Sequence, residues 1–128
     1  MEFQIIALTP TGFAGVRLVR AACMAGFVGV LDIQHSTEEE IDPLIQALIR
    51  SNVQFGVLVG ELSALRLQSI EPAIGRGLGQ VMLSVEQPNL KSLVSSLRRQ
   101  GIQVFVEIIN RTNLSAAEAA EPDGIVVK

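Results

Sequence analysis

The residues of this chain best suited to chemistry stand directly after short apolar runs. Thr9-Pro10-Thr11-Gly12 follows the apolar run Phe3–Leu8 and combines two hydroxyls, a rigid proline and a glycine. A loop of small residues lets backbone amides approach a flat or anionic ligand closely. The same residues also suit a plain turn between a strand and a helix, with the hydroxyls capping the helix. From the residues alone, both interpretations stay open.

Carboxylates mark several later apolar runs. Asp32, Glu61 and Glu86 stand at the ends of three runs, and Glu107 lies inside a fourth. Converging carboxylates can hold a metal or act as acid and base. Asp32 and Glu61 precede helical segments, where a negative charge stabilises the helix dipole, so we predict that both cap helices. Glu107 is a candidate site residue, because a carboxylate in a buried strand needs a partner or an opening to solvent.

Lys128 and His35 are two further candidate site residues. Lys128 follows the last apolar run, at a strand end where barrels can place a Schiff-base or phosphate-contacting lysine. His35 has no Cys, His or carboxylate at metal-ligand spacing, so we predict a solvated loop residue and expect no metal site. The glycine cluster Gly75–Gly79 precedes a strand, whereas a phosphate-binding glycine loop follows one.

Composition argues against several classes of function. The net charge is −3 and the basic residues are scattered, which does not make the concentrated basic surface of a nucleic-acid-binding protein. The longest apolar stretch, residues 21–31, is shorter than the ~20 residues of a membrane span. The start of the chain has no positive signal-peptide region, and its single cysteine excludes an internal disulfide. We therefore expect a cytoplasmic protein that binds neither nucleic acid nor membrane.

Nearly continuous apolar runs predict strands buried on both faces, which is typical of a parallel sheet. The six predicted strands are Phe3–Leu8, Val28–Leu31, Val53–Val59, Gln80–Val85, Ile102–Ile109 and Gly124–Val127. Helical periodicity fills the intervals. The first, third, fourth and fifth predicted helices are Gly15–Ala25, Leu62–Ile70, Leu90–Arg99 and Leu114–Ala120. The second predicted helix starts at the capping box Ser36–Glu39 and runs to Ile49.

This steady alternation predicts an α/β fold made of parallel (β/α) units. An unbroken series of right-handed crossovers forms either a (β/α)₈ barrel or an open doubly wound sheet, and the pattern favours the barrel. A complete barrel needs ~250 residues, and a final apolar strand would leave an uncovered edge. We therefore expect residues 1–128 to be the N-terminal part of one TIM barrel, incomplete, with about six strands and no internal domain boundary.

Several segments together resemble the nitronate monooxygenases, FMN-dependent (β/α)₈ barrels formerly called 2-nitropropane dioxygenases. The similar segments are Gln4–Ala7, the loop with Gly12, Ala22–Leu31, Phe55–Val57, Gly101–Phe105 and Ala119–Lys128. The combination of Leu8-Thr9-Pro10 with a terminal Val-Val-Lys is most similar to barrels fused to polyketide or polyunsaturated fatty-acid synthases. The resemblance implies an FMN-dependent oxidoreductase, enoyl-reductase-like within a synthase, that acts on a small-molecule or acyl substrate.

The resemblance also implies site residues. The loop Thr9–Gly12 would line the flavin, Lys128 would contact it from the end of the sixth strand, and Glu107 joins them as a cofactor-binding candidate. Leu58 stands where the family usually has an asparagine that contacts FMN. The family's glycine-rich segment with its catalytic histidine would lie beyond Lys128. We therefore expect the chain alone to be inactive and to hold flavin weakly, with the remaining half of the barrel or other synthase domains as partners.

Two further functions stay open. An aldolase-like barrel would use Lys128 as a Schiff-base nucleophile in an apolar pocket. A non-catalytic barrel within a synthase would act as a scaffold, which Leu58 and the sparse polar groups favour.

Overall fold

The computed structural model describes residues 5–10 and 15–128. Its strands are β1 (Ile6–Leu8), β2 (Val28–Asp32), β3 (Phe55–Gly60), β4 (Leu78–Ser84), β5 (Gln103–Ile108) and β6 (Gly124–Val127). Its helices are α1 (Val16–Met24), α2 (Glu38–Arg50), α3 (Ala64–Ile70), α4 (Leu90–Arg99) and α5 (Leu114–Ala119). Single 3₁₀ turns follow α3 (Glu71–Ala73) and precede α5 (Arg111–Asn113). Strands and helices thus alternate in the predicted order.

The strands form one parallel sheet in chain order, β1-β2-β3-β4-β5-β6. Because each right-handed crossover leads to the adjacent strand on the same side, all helices cover one face. A doubly wound sheet would reverse its strand order part-way, so that alternative is excluded. The sheet curls into a six-stranded half-barrel, which confirms the predicted fold class of an incomplete TIM barrel.

Alternate residues of the strands face either the helices or the inside of the curl. The larger core lies between sheet and helices and is built on residues such as Phe55, Val57 and Val81. A second apolar cluster, here called the inner cluster, lines the concave face. It consists of Val30, Leu58 and Met82, with Ile6, Val28, Phe105 and Val126 packed against them. Leu58 is therefore a buried apolar residue of the inner face.

Helix α2 is capped one residue later than the sequence predicts. Thr37 is the N-cap, and its hydroxyl oxygen accepts a hydrogen bond from the Glu40 amide at 3.3 Å. The same hydroxyl lies 3.2 Å from the Glu40 carboxylate, to which it donates. The predicted capping box of Ser36 with Glu39 is wrong because Ser36 belongs to the preceding turn, where its carbonyl accepts from Arg66 Nη2 at 2.5 Å.

Helix α1 and strand β2 approach each other most closely at Gly29. A Cβ atom on Gly29 would lie 2.5 Å from the Val19 carbonyl oxygen and 3.0 Å from Cys23 Sγ. Cys23 is half-buried and its thiol donates to the Gln54 carbonyl oxygen at 3.0 Å. The missing side chain at Gly29 therefore sets the spacing of this helix from the sheet.

We expect Gly29→Ala to lower the free energy of unfolding by about 1–3 kcal/mol, because the methyl group forces α1 away from β2. Urea denaturation measures the change. Gly79→Ala is the matched control, since its added Cβ would meet only the Phe55 carbonyl oxygen, at 3.9 Å. For that control we expect a change within about 0.5 kcal/mol. Equal losses in the two variants would contradict the close-approach explanation.

Candidate functional site

The carboxyl ends of the six strands meet at one rim of the half-barrel, here called the mouth. Its inward positions follow from the alternation of β2, β4, β5 and β6, and they are Asp32, Ser84, Glu107 and Lys128. Ligands of parallel barrels bind at this end, because the loops that follow the strands converge there. The mouth is therefore the candidate site.

Glu107 and Lys128 lie on adjacent strands of the mouth. Glu107 pairs in register with Val126, so Lys128 stands two positions beyond the residue opposite Glu107. The Lys128 amide donates to the Ile108 carbonyl oxygen at 3.0 Å and extends the ladder past β6. Glu107 is half-buried, Lys128 is exposed, and neither takes part in the two ion pairs of the described residues. A carboxylate and an ammonium group therefore stand near each other at one side of the mouth.

Thr9 lies at the opposite edge of the sheet and serves the fold. Its side chain is buried, and its amide donates to the Val30 carbonyl oxygen at 3.1 Å. Its hydroxyl oxygen accepts from the Asp32 amide at 2.9 Å, which continues the hydrogen bonding of β2 beyond the end of β1. Pro10, the next residue, is exposed. Thr9 thus secures the sheet edge through the hydroxyl that the sequence offered as a ligand contact.

The predicted cofactor residues form two groups at the two ends of the sheet. Thr9 and Pro10 follow β1, whereas Glu107 and Lys128 belong to β5 and the end of β6. The other two residues of the predicted loop, at positions 11 and 12, lie outside the described residues. A ligand that touches both groups must therefore extend across the width of the mouth.

Asp32 and Glu61 have roles other than the helix capping that the sequence predicts. Helix α2 is capped by Thr37, and α3 is capped by Ser63, whose hydroxyl oxygen accepts from the Arg66 amide at 3.2 Å. Both capping predictions are wrong, because a suitable hydroxyl stands nearer to each helix start. Glu61 is an exposed loop residue, whereas Asp32 is only 5% exposed.

Asp32 is a residue of the mouth that the sequence rules for helix capping assign to the wrong role. Its Oδ1 atom accepts two hydrogen bonds from Gln34, one from the backbone amide at 3.0 Å and one from Nε2 at 3.2 Å. The signal that could have found it is the alternation from Val28 and Val30, since these inner-face residues place Asp32 on the same face. The buried carboxylate therefore belongs to the mouth and not to the start of α2.

Arg66 holds the loop between β2 and α2 in place. Its side chain is 15% exposed, and its guanidinium donates to the carbonyl oxygens of Ile33, Gln34 and Ser36. Its Nε atom lies 3.5 Å from the Glu38 carboxylate. Because the guanidinium fork is rigid, these contacts fix the loop relative to α3. The loop in turn presents Gln34 to Asp32.

Gln87 joins the next two loops in the same way. It is 8% exposed, and its Oε1 atom accepts from the Leu62 amide at 2.5 Å. Its Nε2 atom donates to the carbonyl oxygens of Leu62, at 3.3 Å, and Pro88, at 3.2 Å. Hydrogen bonds of this kind connect the loops that follow β2, β3 and β4 to one another.

A shallow cleft of about 470 Å³ lies beside the mouth between the loops that follow β2 and β3. His35 and Glu61 are among its lining residues, and His35 is exposed as the sequence predicts. Within residues 5–10 and 15–128, no group of three or more His, Cys, Asp or Glu residues is placed to hold a metal ion. None of the helices described in the structure is long and apolar enough to cross a lipid bilayer.

The chain is similar in fold to solved structures of other proteins. No family model and no curated protein matches the chain. Nitroalkane oxidase from Streptomyces ansochromogenes superimposes with a TM-score of 0.76 at 18% identity, over 96% of this chain and 45% of that one. FabK from Thermotoga maritima superimposes with a TM-score of 0.73 at 17% identity, over 97% of this chain and 40% of that one. This chain shares their fold. It spans less than half the length of either structure, and the predicted resemblance is confirmed at the level of the fold.

We expect Arg66→Met to lower the free energy of unfolding by about 1.5–3 kcal/mol, because backbone carbonyls lose a charged donor. The Ser36 amide, which donates to the Ile33 carbonyl oxygen at 3.2 Å, should exchange its hydrogen faster once the loop is released. Urea denaturation and hydrogen exchange measure the two effects. Arg20→Met on the exposed face of α1 is the control. Unchanged protection of the Ser36 amide in Arg66→Met would contradict the clamping role.

Proposed function

We propose that this chain is the N-terminal part of an FMN-dependent oxidoreductase of the nitronate monooxygenase type, enoyl-reductase-like if it belongs to a synthase. The observation that carries the proposal is the shared fold with nitroalkane oxidase, whose name states an oxidative activity for that protein. The resemblance of segments along the same chain supports the family and its flavin. A small-molecule or acyl substrate, a polyketide or fatty-acid synthase setting and a cytoplasmic location are parts of this proposal that rest on the resemblance.

The described residues fit a flat, partly apolar cofactor. The half-buried members of the inner cluster, among them Phe105 and Val126, leave apolar surface on the concave face on which a planar ring can pack. Lys128 and Glu107 supply one cationic and one anionic group at the rim. When bound, FMN would supply the redox-active ring. The chain's own residues would pack against the ring, exclude water and orient it by hydrogen bonds.

Leu58 changes how a flavin would be held. It is 1% exposed and lies in the inner cluster between Val30 and Met82. A leucine offers no amide to a flavin ring, and a side chain that is only 1% exposed gives a ligand almost no surface to pack on. The hydrogen bonds would have to come from the rim, where Lys128 and the loop after β1 are the available groups. Leu58 is also the feature that favours the scaffold alternative.

We further propose that two more β/α units close the barrel between β6 and β1. In the described residues β1 pairs only with β2, and β6 only with β5. Apolar side chains remain exposed at both edges, with Ile5 at 59%, Leu8 at 44% and Val127 at 74%. Two parallel strands would pair both edges and complete eight strands. The partner is thus a second piece of the barrel, in the same polypeptide or in another synthase domain.

The aldolase-like alternative has less support than the flavin proposal. A Schiff-base lysine is activated by an apolar pocket or by a neighbouring cation. Lys128 is exposed, and the charged group nearest to it along the neighbouring strand is the Glu107 carboxylate. Neither condition is met at this position among the described residues.

The test is expression of the chain together with the polypeptide encoded after Lys128, followed by the visible absorption spectrum of the purified protein. We expect FMN to copurify with the extended protein and the chain alone to bind it far more weakly. A folded, extended barrel with no affinity for FMN would overturn the proposal. Borohydride trapping of a carbonyl substrate on Lys128 would support the aldolase-like alternative instead.

We expect Lys128→Met in the extended protein to weaken FMN binding about tenfold to a hundredfold, because a charged hydrogen-bond donor is lost. Fluorescence titration with FMN measures the dissociation constant. Lys91→Met is the matched control, since Lys91 is exposed on α4, on the helix side of the sheet. Equal affinities for Lys128→Met and the unmodified protein would remove Lys128 from the site.

A further inference from the structure

Asp32 is a buried acid that has no ion-pair partner among the described residues. Its side chain lies on the inner face at the end of β2, and the residue is 5% exposed. The two ion pairs of the described residues are Arg66 with Glu38 and Arg98 with Asp123, so neither includes Asp32. Buried charges in proteins are normally paired or hydrogen-bonded, because removal of a charge from water is costly. Asp32 therefore relies on hydrogen bonds alone, and Gln34 supplies them.

The two carboxylate oxygens of Asp32 have different surroundings. Oδ1 accepts both donors of Gln34, and Gln34 itself is held by Arg66 through its carbonyl oxygen at 3.5 Å. Oδ2 accepts no hydrogen bond from any described residue. An ionised carboxylate can accept about four hydrogen bonds. The arrangement thus fixes the orientation of the carboxylate and leaves one oxygen available.

The fold makes little use of the charge. Thr37 caps α2, and the backbone amide of Asp32 donates to Thr9. An asparagine could accept the two Gln34 hydrogen bonds through its own Oδ1 atom equally well. The negative charge is therefore not required for the contacts that the structure shows. A charge that the fold's own contacts do not need is a candidate ligand contact when it lies at the end of a barrel where ligands bind.

We propose that Asp32 is a ligand-binding residue whose Oδ2 atom accepts a hydrogen bond from a neutral O–H or N–H group, with Gln34 as its positioning residue. A buried negative charge repels phosphate and carboxylate groups, so the anionic part of a ligand lies on the Lys128 side of the mouth. The inference rests on the proposed function insofar as FMN is the ligand. The donor is then either a ribityl hydroxyl or the N–H group of the flavin ring.

The first test measures the stability of the ligand-free chain and needs no flavin. If the charge is held for a ligand, Asp32→Asn should leave the thermal midpoint equal to or above that of the unmodified chain. A midpoint lowered by more than about 2 °C would show that the charge serves the fold, and would overturn the inference. Asp42→Asn is the matched control, because Asp42 is exposed on α2.

The second test measures flavin affinity in the protein extended beyond Lys128. We expect Asp32→Asn to weaken FMN binding about tenfold to a hundredfold and Asp42→Asn to leave it unchanged. Lumiflavin, which has the ring N–H but no ribityl hydroxyls, identifies the donor. A loss with FMN alone assigns a hydroxyl, and a loss with both assigns the ring N–H.

The outcomes separate this inference from the proposed function. Equal FMN affinity in Asp32→Asn and the unmodified protein would overturn the role of Asp32 and leave the flavin proposal standing. An unmodified protein that binds no FMN would overturn the proposed function and the flavin assignment of Asp32 with it. The thermal midpoint would then decide alone whether the charge is dispensable to the fold.

Discussion

Pairing of each strand with its immediate neighbours in the chain determines the rest of this structure. Because the strands are parallel and sequential, every connection has to return along the same side of the sheet. The helices therefore cover one face, and the other face is left to the inner cluster. The same constraint brings all the strand ends, and the loops after them, to one rim. Chemical groups far apart in sequence thus share one surface.

The mouth is organised unevenly along this rim. On the side of β2 to β4, Arg66 and Gln87 connect successive loops through buried hydrogen bonds to backbone groups. On the side of β5 and β6, Glu107 and Lys128 have no ion-pair partner among the described residues. The first side is thus fixed by side-chain hydrogen bonds, whereas the charged groups of the second side are not held by ion pairs among the described residues. A site with this division can hold one end of a ligand rigidly and adapt at the other.

The features that depend on local pattern could be predicted from the sequence, and those that depend on distant partners could not. Apolar runs located the strands because burial on both faces leaves a continuous signal. The cap of α2 was misplaced by one residue, because Ser36 is held by Arg66, thirty positions away. The sequence indicates a helix-capping role for Asp32, because its place on the inner face and the contact of its amide with Thr9 depend on the pairing of β1 with β2. The proximity of Glu107 and Lys128 likewise follows only from the pairing of β5 with β6.

The sequential pairing also bears on how the polypeptide acquires its structure. Each strand finds its partner one helix earlier in the chain, so contacts form over short sequence separations and loop closure is inexpensive in entropy. A ribosome releases the units in the order in which they pair, and each newly emerged strand meets an edge that is already formed. Among the described residues β6 is the last strand to join the sheet, and its outer edge stays unpaired. Val127 is 74% exposed on this strand, and an unpaired edge with an apolar side chain is the kind of surface through which chains associate.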